Sequence, residues 1–139
     1  MQGAVLKELV GKPQEASGNV SEIGKKIQSC VVKIFLSGDN LGIDRKDKSA
    51  PLFELNDPEA GLLVFRGKVL GTGWADTWTA ARYTIEVKPQ KFRLTLSGFH
   101  RDNIGNLAIG WGTGGEQLIK VLEASGDQLA ACAKQQSDW

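Results

Sequence analysis

The sequence is poor in the residues that most catalytic and metal sites need. Its 139 residues include one histidine, two cysteines and one methionine. A single histidine excludes a histidine triad or a multi-histidine metal site within one chain. Two cysteines are too few for a disulfide framework, and their spacing does not fit a metal site. We therefore assign no catalytic residue, no cofactor and no metal from the sequence.

The chain also lacks long apolar runs and a strong charge of either sign. No run approaches the ~20 residues of a membrane span, and residues 1–18 contain no apolar signal-peptide core. We expect a cytoplasmic protein, or a periplasmic or envelope-associated one if a leader was removed and an initiator methionine supplied. The net charge of +1 gives no global argument for nucleic acid or anionic lipid. The ordinary composition predicts a single domain over 1–139, frayed at about 134–139.

The two cysteines, Cys30 and Cys132, each fall on the apolar stripe of a predicted helix. Buried, inert thiols are the default interpretation of such positions. The alternative is a disulfide between them, which requires the two helices to pack side by side in an oxidising compartment. The sequence leaves both interpretations open.

The other polar motifs are typical of turns and surfaces. Gly110–Gly115 precedes a helix, where a phosphate can bind, but it lacks the Lys-Ser/Thr of a P-loop and the dinucleotide fingerprint. His100 follows a strand and is interpreted as a surface residue. Four acidic residues are interpreted as turn formers, namely Asp44, Asp47, Asp57 and Glu59.

The stretch from Pro51 to His100 predicts an antiparallel meander, in which short apolar runs are separated by turn signals. In its later strands apolar residues such as Tyr83 and Ile85 alternate with polar ones, which indicates one buried and one solvated sheet face. The four predicted strands are Leu52–Asn56, Leu62–Leu70, Trp78–Lys88 and Lys91–Phe99.

Two amphipathic helices flank the meander. The first is predicted from Val20 to Leu36, after a capping box of Asn19 and Glu22. The second follows the capping box at Thr113–Glu116, and we prefer one helix with a weak middle near Ser125. The apolar helix faces and the apolar sheet face must bury one another, which favours an α+β fold with both helices on one side of the sheet.

Four segments give weaker signals. Ala4–Val10 fits a short helix or a strand equally well. Gln14–Gly18 is interpreted as a linker, Leu41–Ala50 as a surface loop and His100–Gly112 as an irregular loop.

Several stretches together resemble a bacterial family of domains of unknown function with a TATA-binding-protein-like fold. They are Val32–Phe35, Phe53–Lys68, Tyr83–Lys88 and Lys91–Phe99. The resemblance implies the order β-α-β(4)-α, a curved antiparallel sheet, and a first strand at Val5–Val10. Members of the family are typically exported or envelope-associated. The resemblance implies no catalytic residues.

The outward sheet face is the most suggestive surface of the predicted fold. Six basic side chains fall on it with only Glu86 to offset them: Arg66, Lys68, Arg82, Lys88, Lys91 and Arg93. Its ordinary interpretation is a solvated face with protected edges. The functional interpretation is a cationic docking surface for a protein or an anionic ligand, with aromatic anchors from loops beside it. The candidate partner-binding residues are Arg66, Lys68, Arg82, Arg93, Trp74, Trp78 and Trp111.

Two functions follow as hypotheses. The first is a non-enzymatic binding or structural module of the bacterial envelope that uses the sheet face or the tryptophan-bearing loops. The alternative is a small-ligand carrier with a pocket near the glycine-rich loop 105–115. We do not expect an enzyme, because paired catalytic groups are missing. Nor do we expect nucleic-acid binding, because the sheet face lacks the wedge aromatics of a DNA-kinking saddle.

Overall fold

Two helices cover one face of an antiparallel sheet in the computed structural model, which describes residues 4–5, 8–37, 41–44, 49–70, 78–101, 108–109 and 115–135. The strands are β1 (Ala4–Val5), β2 (Glu8–Val10), β3 (Gln14–Glu15), β4 (Leu41–Ile43), β5 (Leu55–Asp57), β6 (Leu62–Leu70), β7 (Trp78–Lys88), β8 (Lys91–Arg101) and β9 (Ala108–Ile109). The helices are α1 (Val20–Ser37) and α2 (Gly115–Gln135). The predicted α+β class is confirmed.

The described strands form a seven-stranded sheet and a separate two-stranded one. The order of the larger sheet is β2-β8-β7-β6-β4, with β3 beside β8 and β5 beside β6, and every pairing is antiparallel. The small sheet pairs β1 with β9. The three long strands β6, β7 and β8 follow the predicted meander, since their runs of alternating residues are long enough to fix both the strand and its face.

The short strands are where the sequence prediction was wrong. Leu41–Ala50 is not entirely a loop, because β4 pairs with β6 there. Gln14–Glu15 is a strand rather than a linker, and Ala108–Ile109 forms β9 within the predicted irregular loop. The strand expected at Leu52–Asn56 lies at Leu55–Asp57. Strands of two or three residues are too short to show periodicity, and their pairing depends on the long strand beside them.

The undecided segment at the start of the chain forms strands. Ala4–Val5 pairs with β9, and Glu8–Val10 pairs with β8 as the edge of the main sheet. The sheet thus begins with a strand before α1, which is the order that the family resemblance implied.

Helix α1 is capped and buried as its sequence predicts. The Asn19 side chain accepts a hydrogen bond from the Glu22 N–H at 2.9 Å, and the Glu22 carboxylate accepts one from the Asn19 N–H at 3.2 Å. These reciprocal bonds satisfy N–H groups that the first turn leaves unpaired. The stripe that faces the sheet is buried: Ile23, Ile27, Cys30, Val31 and Phe35.

Aromatic side chains fill the space between α1 and the sheet. The Phe65 and Tyr83 rings stack across β6 and β7 with centroids 4.8 Å apart, and Phe35 of α1 meets both of them edge-on. Gly67 makes room for this cluster, since a Cβ there would lie 2.7 Å from the Tyr83 ring. Close aromatic packing of this kind dominates the energetics of small cores.

Helix α2 is continuous through its predicted weak middle, and Ser125 and Gly126 there contact the sheet. The Ser125 and Tyr83 hydroxyls hydrogen-bond at 2.6 Å in the interior. Gly126 lets the helix approach β8, since a Cβ there would lie 2.8 Å from Leu94 Cδ2. The two residues that weaken the helix locally are therefore the ones that dock it.

A disulfide joins the two helices. Cys30 of α1 and Cys132 of α2 are bonded, with their Cα atoms 5.9 Å apart and 102 positions apart in sequence. The default interpretation of two free thiols was therefore wrong. Each cysteine lies on the apolar stripe of its own helix, and their pairing depends on the crossing of α1 and α2.

A bulge in β8 returns Phe99 to the core. The register of β7 and β8 shifts between Ala80 and Arg82, and Gly98 lies opposite this shift with φ of 59°. A glycine in the left-handed region is typical of such bulges. Strict alternation after Leu96 would place Phe99 on the outward face, but it is 5% exposed.

We predict that loss of the disulfide destabilises the fold strongly. The bond closes a loop of 102 residues, and the loss of loop-closure entropy from the unfolded chain at that length corresponds to about 4.7 kcal/mol. Urea unfolding with and without reductant measures the effect, and a Cys30→Ala/Cys132→Ala variant serves as the control. The free energy of unfolding of the variant should equal that of the reduced wild type and should not change when reductant is added. A wild type equally stable in both conditions would contradict the prediction.

We also predict that the single tyrosine ionises only when the protein unfolds. Burial raises the pKa of Tyr83 well above its usual value, with the hydrogen bond to Ser125 as a smaller, opposing influence. The unfolded chain therefore loses this proton first, so stability is full below pH about 10 and falls above it. Tyrosinate absorbance should appear together with the unfolding transition seen by circular dichroism. Tyr83→Phe supplies the baseline, and ionisation ahead of unfolding would refute the prediction.

Candidate functional site

The outward face of the sheet has a central row of small and apolar side chains. Cross-strand pairing aligns the five residues of this central row from β5 through β6, β7 and β8 to β2: Leu55, Val64, Thr84, Thr95 and Val10. Leu55 is 43% exposed and Val10 is 57% exposed, whereas the threonines are half-buried. The sheet thus presents an apolar strip whose two ends are the most accessible.

Arg66 and Arg82 lie beside the central row, directly opposite one another on β6 and β7. Like charges in such positions repel, and here each guanidinium has its own carboxylate. Arg66 Nε is 3.2 Å from Asp44 Oδ2, and Arg82 Nε is 3.0 Å from Glu54 Oε1. The expectation that Glu86 alone offsets the basic face was therefore wrong.

The Arg66 side chain also contacts the bulge. Its Nη2 donates to the carbonyl oxygen of Gly98 at 3.2 Å, and its side chain is 23% exposed. One guanidinium thereby joins the segment after β4 to the bulge of β8. Arg66 is therefore held by two different partners, a carboxylate and a backbone carbonyl.

Arg93 lies on the other side of the central row. Its Nη2 donates to Glu86 Oε1 at 2.9 Å across the β7–β8 pair, where the two residues are direct partners. Both side chains are nearly half exposed. Ion pairs with this exposure contribute little to stability, so their main effect is to set the charge pattern of the face.

The remaining basic residues lie towards the two ends of the face. Lys68 Nζ is 4.8 Å from the ring centroid of Trp78, a cation–π contact. Lys88 and Lys91 are exposed and pair across the β7–β8 hairpin. Of the three tryptophans proposed as anchors, Trp78 lies beside this face. Trp74 and Trp111 lie outside the described residues.

Asp44 and Glu54 are the site residues that sequence reasoning missed. The sequence predicts a turn former at Asp44, and it places Glu54 in a short strand with no assigned role. Each reaches an arginine from a segment that pairs with β6, since the Asp44 N–H bonds to the Arg66 carbonyl and the Glu54 N–H to that of Val64. No signal in the sequence indicates these pairings.

A cleft opens on the other side of the sheet, between its β2 edge and α2. Its volume is about 360 Å³. The apolar side chains that line it include Leu9, Phe92, Leu94, Leu96 and Ala130, and Lys12, Glu123 and Asp127 add charged groups. Most of loop 105–115, where the sequence suggested a pocket, lies outside the described residues.

Three further observations bear on chemistry and partners. His100 is exposed near the end of β8, opposite Ala80.

Within the residues that the structure describes, histidine, cysteine, aspartate and glutamate do not gather in groups of three that could hold a metal ion. In the same part of the chain, neither helix has the length and apolar character of a membrane span.

We predict that Arg82 keeps Glu54 ionised at unusually low pH. The hydrogen bond from Arg82 lowers the pKa of Glu54 below its usual value, against a smaller effect of burial. A lowered pKa in the folded state stabilises the fold at neutral pH, and this contribution is lost as pH falls through that pKa. Both side chains are exposed, so the contribution to stability is small.

The Glu54 titration can be followed by NMR of its carboxyl carbon. Arg82→Gln should raise the Glu54 pKa towards the usual value, whereas Arg93→Gln should leave it unchanged. An identical Glu54 titration in all three proteins would show that the Arg82–Glu54 pair does not form in solution.

Comparison with known proteins supports the fold alone. No protein-family model matches the sequence, and no curated protein matches it. The chain is similar in structure to a TBP-like protein from Parabacteroides distasonis ATCC 8503, with a TM-score of 0.62 and 8% identity over 94% of each chain. It is also similar to a DUF4468 family protein from Bacteroides ovatus ATCC 8483, with a TM-score of 0.59 and 10% identity over 97% of this chain and 95% of that one. The chain therefore has the TATA-binding-protein-like fold, as its resemblance to a bacterial family of unknown function implied.

Proposed function

We propose that the protein is a non-enzymatic binding module that docks another protein on its open sheet face. The observation that carries the proposal is the central row, an apolar and threonine strip with paired arginines on both sides. Exposed apolar side chains framed by charged groups are characteristic of protein interfaces. The arginines supply groups that commonly anchor such interfaces.

A protein partner fits this face better than a polyanion does. The three guanidinium groups near the central row already have carboxylate partners at 2.9–3.2 Å. A nucleic acid or anionic glycan would have to displace Asp44, Glu54 and Glu86, which repel it. A surface of mixed charge can instead meet both members of each pair, which favours specificity over simple charge attraction.

The disulfide supports an oxidising location for this module. Bonds such as Cys30–Cys132 persist in secreted and periplasmic proteins and are rare where thioredoxin and glutathione keep thiols reduced. We therefore propose the bacterial envelope as the place of action.

The proposal is tested by photocrosslinking from the face in the native host. A photoreactive residue at Thr84, in the central row, should yield a recurrent crosslinked protein. The same residue at Val32, which is 43% exposed on α1, should not yield it. The crosslinked protein is then purified for binding measurements.

Charge reversal on the face should abolish the binding of that partner. Arg82→Glu with Arg93→Glu replaces two paired cations by anions, so each remaining carboxylate faces another. We expect the affinity to fall at least about tenfold, which is 1.4 kcal/mol. Lys25→Glu with Lys33→Glu, at two exposed positions of α1, makes the same charge change elsewhere and should bind normally. Equal affinities of both variants, or a shared crosslinked protein from Thr84 and Val32, would refute the proposal.

A further inference from the structure

Strand β2 leaves one of its edges unpaired among the described residues. It is the terminal strand of the main sheet, and its only neighbour there is β8. The Gly11 N–H donates to the Leu94 carbonyl at 2.8 Å. Since backbone groups alternate in direction along an antiparallel strand, Leu9 also points its N–H and C=O towards β8. The backbone groups of Glu8 and Val10 therefore point away from the sheet.

The middle of this edge is apolar, although charged side chains flank it. Edge strands are usually blunted by short length, by charges or by proline. Pro13 lies beyond β2, where the pairing with β8 shifts by one residue before β3, so it removes no donor from β2 itself. Val10 is 57% exposed at the middle of the edge. An accessible apolar residue with free backbone donors and acceptors is a template for a further strand.

We propose that β2 pairs antiparallel with β2 of a second copy of this chain, centred on Val10. In this register Val10 meets Val10, and Glu8 of each copy lies opposite Lys12 of the other. Both Glu8 and Lys12 are exposed, and opposite charges in directly opposed positions stabilise an antiparallel pair. This charge complementarity favours a second copy over an unrelated peptide.

The cleft beside the edge fits the same pairing. On the helix side of the sheet, Leu9 of one copy lies opposite Gly11 of the other. Gly11 has no side chain, and it borders the cleft with Leu94 and Ala130. Leu9 of the partner can therefore enter this apolar space, where a bulkier residue at position 11 would compete with it. Burial of apolar surface on both sides adds to the backbone hydrogen bonds.

Pairing of this kind would extend the open face. The central row ends at Val10 in each copy, so two rows join through the Val10 pair into one strip across a continuous sheet. The inference concerns assembly and is independent of which protein docks on the face.

The oligomeric state of the full chain, measured by light scattering after size-exclusion chromatography, tests the proposal. Wild type should show a mass that rises with concentration towards twice the chain mass of 15.0 kDa. Glu8→Lys places two lysines opposite one another at both ends of the pair, and Lys12→Glu places two glutamates there. Each variant should therefore remain at the mass of one chain.

Mixing the two variants makes the test specific for the register. Glu8→Lys opposite Lys12→Glu restores an opposite-charge pair at both ends, so the mixture should form a heterodimer that neither variant forms alone. Val32→Asp, on exposed α1, should dimerise as wild type does, and circular dichroism should show every variant folded. If the wild type has the mass of one chain even at its highest soluble concentration, the proposal is wrong. Binding of a small apolar molecule or a peptide in the cleft would not rescue it. The proposal is also wrong if both charge-reversal variants still form dimers on their own.

Discussion

The structure depends on the contacts of Tyr83, where the sheet meets both helices. Its ring stacks on Phe65 of the neighbouring strand and meets Phe35 of α1 edge-on. Its hydroxyl bonds to Ser125 of α2. One side chain thus supplies apolar area to one helix and a hydrogen bond to the other, so both helices lie on the same face. A buried hydroxyl requires such a partner, and this requirement fixes where along α2 the contact occurs.

This one-sided burial leaves the other face of the sheet uncovered by the two helices. A residue on β6, β7 or β8 contributes either to the core or to the open face, because neighbouring residues point in opposite directions. The bulge at Gly98 adjusts this rule locally, since it turns Phe99 into the core and presents a carbonyl to Arg66. The same irregularity therefore completes the core and orders a charged side chain of the open face.

Sequence patterns predict the elements that carry their own periodicity. The long strands, the capped helix α1 and the inward positions of Leu63, Tyr83 and Phe92 follow from alternation and capping. The same alternation correctly predicts the face on which Arg66, Arg82 and Arg93 lie. Their neutralisation by Asp44 and Glu54 was not predictable, because both carboxylates come from segments without periodicity. Pairing between distant segments depends on the tertiary arrangement, so a single sequence does not predict it.

The pairing of the two cysteines is also not decided by the sequence. Their positions on two apolar stripes are visible in the sequence, and those positions suit a buried thiol and a disulfide equally well. The crossing of α1 and α2 decides between them, and that crossing is set by Gly126 against Leu94 and by Ser125 against Tyr83. The packing of small residues in the middle of α2 therefore helps to position Cys132 next to Cys30.

The charge pattern of the open face is the basis for proposing a protein rather than a nucleic acid as its partner. A TATA-binding-protein-like sheet that binds through phosphate attraction needs cations that are free to meet phosphates. Here the arginines nearest the central row hold carboxylates, and the apolar residues of that row are Leu55, Val64 and Val10 rather than aromatic wedges. The same curved sheet can therefore serve different partners, since the side chains on its open face, and not its topology, determine what binds.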